Sequence, residues 1–197
     1  MDRDQMSDEE NYHFDVAGFL HVQGVLTPVE VSRLNQAIDD TGASEGLLSL
    51  PDGRCESFRD LLIHPQLVWY LNQIIGPGFK LDRLPELLGN DASTVDQPLG
   101  GGNEPLDPGT AYFFKNGRRH CEGVRVIWAL GDGDEGEGGF VLVPHTHRGN
   151  VEVPEDILTG ADDMGLTRQP VLKAGDLLIA GLSVVQGMRA WQSENTP

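Results

Sequence analysis

Apolar positions recur with helical spacing in the first 80 residues; beyond residue 110 they alternate or run unbroken, as in strands. Thr27-Pro28-Val29-Glu30 predicts a helix start, with Thr27 as cap, Pro28 at the first helical position and Glu30 closing a capping box. Val31, Leu34 and Ile38 then share one face, and the helix runs to about Thr41-Gly42. A second helix is predicted from His64-Pro65, carrying Leu67, Val68, Leu71, Ile74 and Ile75, and Gly76-Pro77-Gly78 stops it. Ahead of both, residues 12–25 place Phe14, Phe19, Leu20, Val22 and Val25 around Gly18, which reads as a short strand leading into a turn. Residues 1–11 are polar and acidic and read as a frayed tail.

The texture changes after Phe79. Residues 89–108 are rich in Gly, Asp, Asn and Pro and read as loop. Strands are expected over residues 110–115, 123–130, 139–143, 171–172 and 176–185. In the second of these, Val124, Val126 and Trp128 alternate with Arg125, Ile127 and Ala129, so one face is the more polar. Helices followed by strands suggest an α+β domain or a β-sandwich with helices packed outside, formed as a single domain over residues 12–197.

The 197 residues suffice for one domain with a real core. A net charge of -17 repels phosphates and anionic lipid, which argues against nucleic acid and membrane partners. It accords with a soluble acidic surface, or with attraction of a cationic partner. The N-terminus lacks an apolar h-region, no apolar run is long enough to span a bilayer, and the two cysteines, Cys55 and Cys121, have no metal-type spacing. The expected setting is cytoplasmic.

Several groups carry possible chemistry. Gly131-Asp132-Gly133-Asp134-Glu135-Gly136 fits a dinucleotide fingerprint by letter, but a strand follows it rather than a helix, so no helix N-terminus is available for pyrophosphate. Gly136 also breaks the EF-hand pattern. Gly100-Gly101-Gly102 would let backbone approach a ligand closely, or form a flexible loop. His145 and His147 flank Thr146; in an extended segment they would share a face and a metal, the plainer reading being local hydrogen bonds in a turn. His120-Cys121 would point apart in a strand. Lys115, Arg118, Arg119 and Arg125 form the main basic cluster, fit either to grip a carboxylate or to balance nearby acids.

The ordered set GGGNEPLDPGTAYFFKNGRRH, GGFVLVPHTHRGN, KAGDLLIAG and QGMRAW resembles the phytanoyl-CoA dioxygenase family. That resemblance covers roughly the last half to two-thirds of the chain. It implies a jelly-roll, or double-stranded β-helix, related to cupins. It also implies Fe(II) held by two histidines and a carboxylate, with 2-oxoglutarate and oxygen as co-substrates and a small molecule hydroxylated. Three facial ligands leave coordination positions open for the chelating co-substrate and for O₂.

The chain departs from the family where the metal is held. Leu99 stands where a histidine commonly precedes the glycine run, and no His-x-Asp or His-x-Glu occurs anywhere. Asp96 and Asp107 flank the place expected for the carboxylate, and Gln186 takes the position of the family's second histidine ligand. The chain stops at Pro197, about where the family supplies a last strand and the arginine that anchors 2-oxoglutarate, while Arg189 is not at that motif position. The expectation is therefore an oxygenase scaffold with a degenerate iron site and impaired activity. One alternative is a rebuilt site drawing on Gln186, His145, His147 and an acid such as Asp107 or Asp176, with Lys115 or Arg125 as carboxylate partner. A binding module for a small molecule or partner is another, and a truncated product without selected activity a third. A jelly-roll short of its last strand would leave the strand over residues 176–185 at an exposed edge, open to a homodimer.

Overall fold

The computed structural model describes residues 4–88, 98–136 and 138–190. Helix α1 (Asp8–Ala17) opens the fold, followed by strand β1 (Phe19–Val22) and helices α2 (Pro28–Thr41), α3 (Cys55–Leu62) and α4 (Pro65–Ile74). Strands β2 (Tyr112–Lys115), β3 (Arg118–Cys121), β4 (Val124–Trp128) and β5 (Gly139–Val143) come next, then the short helix α5 (Glu155–Thr159) and strands β6 (Leu177–Gly181) and β7 (Val185–Arg189).

Helix α2 has the foreseen cap: Thr27 and Glu30 bond each other's backbone N–H, and Gly42 closes the helix in the left-handed conformation. A second capping box, Ser7 with Glu10, starts α1, so residues 8–17 are helical rather than tail and strand. Only Phe14 of α1 is fully buried, which is why no helical period stands out there. Met6, expected in a frayed tail, is a core residue.

The main sheet has the order β1-β6-β4, all antiparallel. The strand over residues 176–185, expected at an exposed edge, is instead the centre of this sheet, and its edges are β1 and β4. All five residues of β6 are buried. Leu177 and Ile179 face Phe14, Leu67, Tyr70, Leu71 and Ile74 of the helical layer. Leu178 and Ala180 face the other way, onto Phe140, Leu142 and Val184. A strand covered on both faces reads as an unbroken apolar run.

A second sheet, β5-β7, lies on that other face, with Leu142 opposite Gln186 and Phe140 opposite Met188. Its outer side, Val141, Val143 and Val185, is covered by Leu99 and Ile157. Single-residue bridges from Gly100 to Gln186 and from Arg168 to Leu142 extend it on both sides. The β2-β3 hairpin stands as a separate two-stranded unit, turning at Asn116-Gly117 with both residues at positive φ. Residues 171–172 form no strand.

Candidate functional site

The position of interest is Gln186 on β7. Directly opposed residues of an antiparallel pair point to the same side. Gln186 therefore shares the inner side of the β5-β7 sheet with Leu142, which packs with Phe140, Leu178, Ala180 and Val184. It is buried, and its Nε2 donates to the carbonyls of Gly181 at 2.8 Å and Val184 at 3.2 Å. The amide thus clasps the turn between β6 and β7. Its Oε1 is buried with no hydrogen-bond partner among the described residues. On the far edge of β7, Gly100 exchanges backbone hydrogen bonds with Gln186 and Gly102 donates to Ser183. A Cβ on Gly101 would collide with the Val184 carbonyl. The glycine run therefore serves a close approach to the chain's own turn.

His145 and His147 do not form a shared pair. The segment is not extended: His145 is left-handed, with φ 72°, and Thr146–Arg148 form a 3-10 turn. Each ring seeks a carbonyl at the C-terminal end of α1, His145 Nδ1 lying 2.7 Å from Val16 O and His147 Nε2 2.9 Å from Asp15 O. These carbonyls are among those a helix leaves without internal partners. Burial lowers the pKa of His147 more than its hydrogen bond to Asp15 raises it, so the ring is held neutral. Its Nδ1 is buried with no hydrogen-bond partner among the described residues.

Asp15, unremarked in the sequence, completes this clasp. Its carboxylate accepts from Tyr112 Oη and from Arg148 Nη1, at 2.5 and 2.6 Å. Burial and the adjacent Asp15 push the Tyr112 phenol well up. Nothing in the local sequence marks Asp15, because its partners lie about 100 or more positions away.

Asp176 is held elsewhere. Its carboxylate accepts from Gly24 N (2.8 Å) and Lys173 N (2.9 Å), and lies 2.7 Å from His21 Nε2. Burial alone would raise its pKa, but the bonds from Lys173, Gly24 and His21 outweigh this and hold it below the usual carboxylate range. Asp107 is exposed and caps its own turn through Gly109 N. Lys115 sits at the tip of the β2-β3 hairpin. Arg125 lies on the same face of β4 as Ile127, which packs against the inner cluster, and the charges of Arg83 and Glu86 act on it. Asp96 lies outside the described residues. Among the described residues, no three His, Cys, Asp or Glu come together to hold a metal ion. Both cysteines are buried and unpaired. Gln186 lines neither the hollow beside α5 nor the one between α2 and α3.

The chain matches no protein-family model and no curated protein. Solved structures do resemble it. HygX from Streptomyces hygroscopicus, with nickel and 2-oxoglutarate bound, superposes with a TM-score of 0.76 at 20% identity, covering 96% of this chain and 83% of that one. The iron-bound form of HygX gives a TM-score of 0.77 at 18% identity, over 97% and 83%. SnoK, a non-heme alpha ketoglutarate dependent carbocyclase from nogalamycin biosynthesis, gives 0.59 at 15% identity, over 96% and 80%. The fold is thus the one seen in HygX and SnoK, a mixed helix–strand fold with antiparallel sheets. Among the described residues, no helix is long and apolar enough to cross a membrane.

Proposed function

We propose that this chain is a phytanoyl-CoA dioxygenase-like member of the Fe(II)/2-oxoglutarate oxygenase superfamily, a double-stranded β-helix that has given up its iron centre and acts as a binding module without oxygenase turnover. The observation that carries the proposal is the state of Gln186. At the inward position where the family places a histidine, the side chain offers one neutral amide oxygen, and its nitrogen is spent on the backbone of the adjoining turn. Leu142 stands opposite it and Gly100 beside it, so neither neighbour adds an imidazole or a carboxylate. Ferrous iron prefers imidazole and carboxylate donors, and a lone amide oxygen in an apolar cluster does not fit it.

A rebuilt centre is the weaker reading. The rings of His145 and His147 are committed to α1, Asp176 to His21 and two backbone amides, and Asp107 to its own turn. Recruiting them would break each of these contacts. Two buried, unpaired cysteines accord with a cytoplasmic setting.

The test is anaerobic titration of the purified chain with Fe(II) and 2-oxoglutarate, followed by metal analysis and succinate assay in air. The expected result is iron far below one per chain and no succinate above the protein-free background. Near-stoichiometric iron together with succinate formation would overturn the proposal.

A further inference from the structure

Two surfaces outside the barrel interior are complementary to one another. The first is the tip of the β2-β3 hairpin. Lys115 and Arg118 are directly opposed across it, and no ion pair engages either among the described residues. Like charges facing each other on adjacent strands are unfavourable unless an anion joins them. Behind them, Phe113 stacks on His120 with ring centroids 4.6 Å apart, and Phe113 and Phe114 are 42% and 60% exposed. No acidic residue lies between Tyr112 and Cys121, in a chain whose net charge is -17.

The second is a hollow of about 560 Å³ beside α5, in the size range that takes a small organic molecule or a few side chains. Its walls are Pro98, Val153, Pro154 and Leu158, with the carboxylates of Glu152 and Glu155, and among the described residues no cation lines it. Neither glutamate has an ion-pair partner among the described residues. Arg189 lies nearby but donates to the carbonyls of Leu158 and Thr159.

We propose that the β2-β3 hairpin tip of one chain docks in the Glu152–Glu155 hollow of a second copy, with Phe113, which shares a hairpin face with Lys115 and Arg118, meeting the apolar walls and the two cations meeting the two carboxylates. A second copy is favoured because both halves of the contact, cations with aromatics and carboxylates with aliphatics, are carried by one chain. Among the described residues, no hydrogen bond or ion pair joins the two surfaces within a chain. Docked reciprocally, the two surfaces close a twofold dimer; docked in one direction, they build a ring or an open chain of copies. The net negative charge opposes association at long range, but screening at about 0.15 M salt limits that repulsion to roughly 8 Å, while the contact charges meet directly.

The experiment is analytical ultracentrifugation of the full chain at that ionic strength with two double variants. One carries Lys115→Glu and Arg118→Glu, the other Glu152→Lys and Glu155→Lys. Wild type should gain mass with concentration. Each variant alone should associate at least about tenfold more weakly, since like charges then face each other. An equimolar mixture of the two should recover association, because every hairpin then finds a hollow of opposite sign. Phe113→Ser, which leaves all charges in place, should weaken association as well. A wild type that stays monomeric at all concentrations overturns the proposal, even if the hollow binds an amine or the hairpin an unrelated acidic protein. So does self-association insensitive to the reversals, or a mixture of folded variants that fails to recover it.

Discussion

Replacing Asp176 by alanine separates a structural carboxylate from a metal ligand. The side chain is 5% exposed and ties three segments together: the turn at Gly24, the turn at Lys173 that precedes β6, and His21 at the end of β1. Hydrogen bonds to a charged group are worth about 1.5–3 kcal/mol each, and breaking a buried pair costs about 3–5 kcal/mol. Gly24 and Lys173 are exposed, so water replaces part of what their amides lose, and His21 is 23% exposed. The net cost is then about 3 kcal/mol, equivalent to roughly 6–12 °C in Tm for a domain of this size. Asp176→Asn keeps an acceptor for Gly24 and should lose about half as much.

The pH dependence follows from the sign of the shift. The folded-state pKa of Asp176 lies below the unfolded value of 3.8, so its contribution is complete above that pH and is lost as pH falls through the folded value. Urea denaturation followed by tryptophan fluorescence should show the full gap between wild type and Asp176→Ala at pH 7, narrowing below about pH 3.8. A loss under about 1 kcal/mol at pH 7 refutes the structural role. So does a variant of unchanged stability that has lost bound iron.

His147 titrates in a different window. Its folded pKa is depressed by burial below the unfolded value of 6.5, so wild type should lose stability as pH falls below that value, and His147→Gln should flatten this slope in urea midpoints measured between about pH 5 and 8. Burial pushes the Cys121 thiol up to about 11, against an ordinary 9.0, so at pH 8 a thiol reagent should label it about a hundredfold more slowly in the folded chain than in urea; equal rates would show that β3 opens readily.

The elements legible in the sequence are those whose local signal agrees with their burial. Helix α2 announces its cap, α4 its Pro65 start and glycine stop, and β5 is bounded by Gly139 and Pro144. The elements that escaped notice lack that agreement. Helix α1 buries one fully enclosed residue, so its capping box went unsupported by any periodicity. Helix α3 is eight residues long and includes Ser57 among its buried positions. The boundary between β6 and β7 vanished because the turn itself is buried: Ser183 and Val184 are 1% and 0% exposed, so one apolar run spans two strands. The edge expected for this strand rested on a missing last strand, whereas β1 from the start of the chain and β4 flank β6 on its two sides. Strand β3 was missed although Asn116-Gly117 is a hairpin turn signal, because the residues after it are charged rather than apolar.

The candidate site divides along the same line. Position 186 drew notice because its neighbours repeat a recognisable order; the fold places Gln186 opposite Leu142, on the inner side of β7. The histidines at 145 and 147 were not, since their spacing implies a shared face only in an extended chain, and the left-handed backbone at His145 removes that premise. What Gln186 gains and loses is close to balanced. Two donated hydrogen bonds are worth about 1 kcal/mol each, and one buried carbonyl oxygen without a partner costs about 1–3 kcal/mol. The Gly181 carbonyl also accepts from Val184 N, so it would not be orphaned if the glutamine were absent. An amide at this place is thus neither a strong rivet for the surrounding packing nor a donor set for iron. It is a polar group left facing an apolar interior, which is what the proposed loss of an iron centre requires of this position.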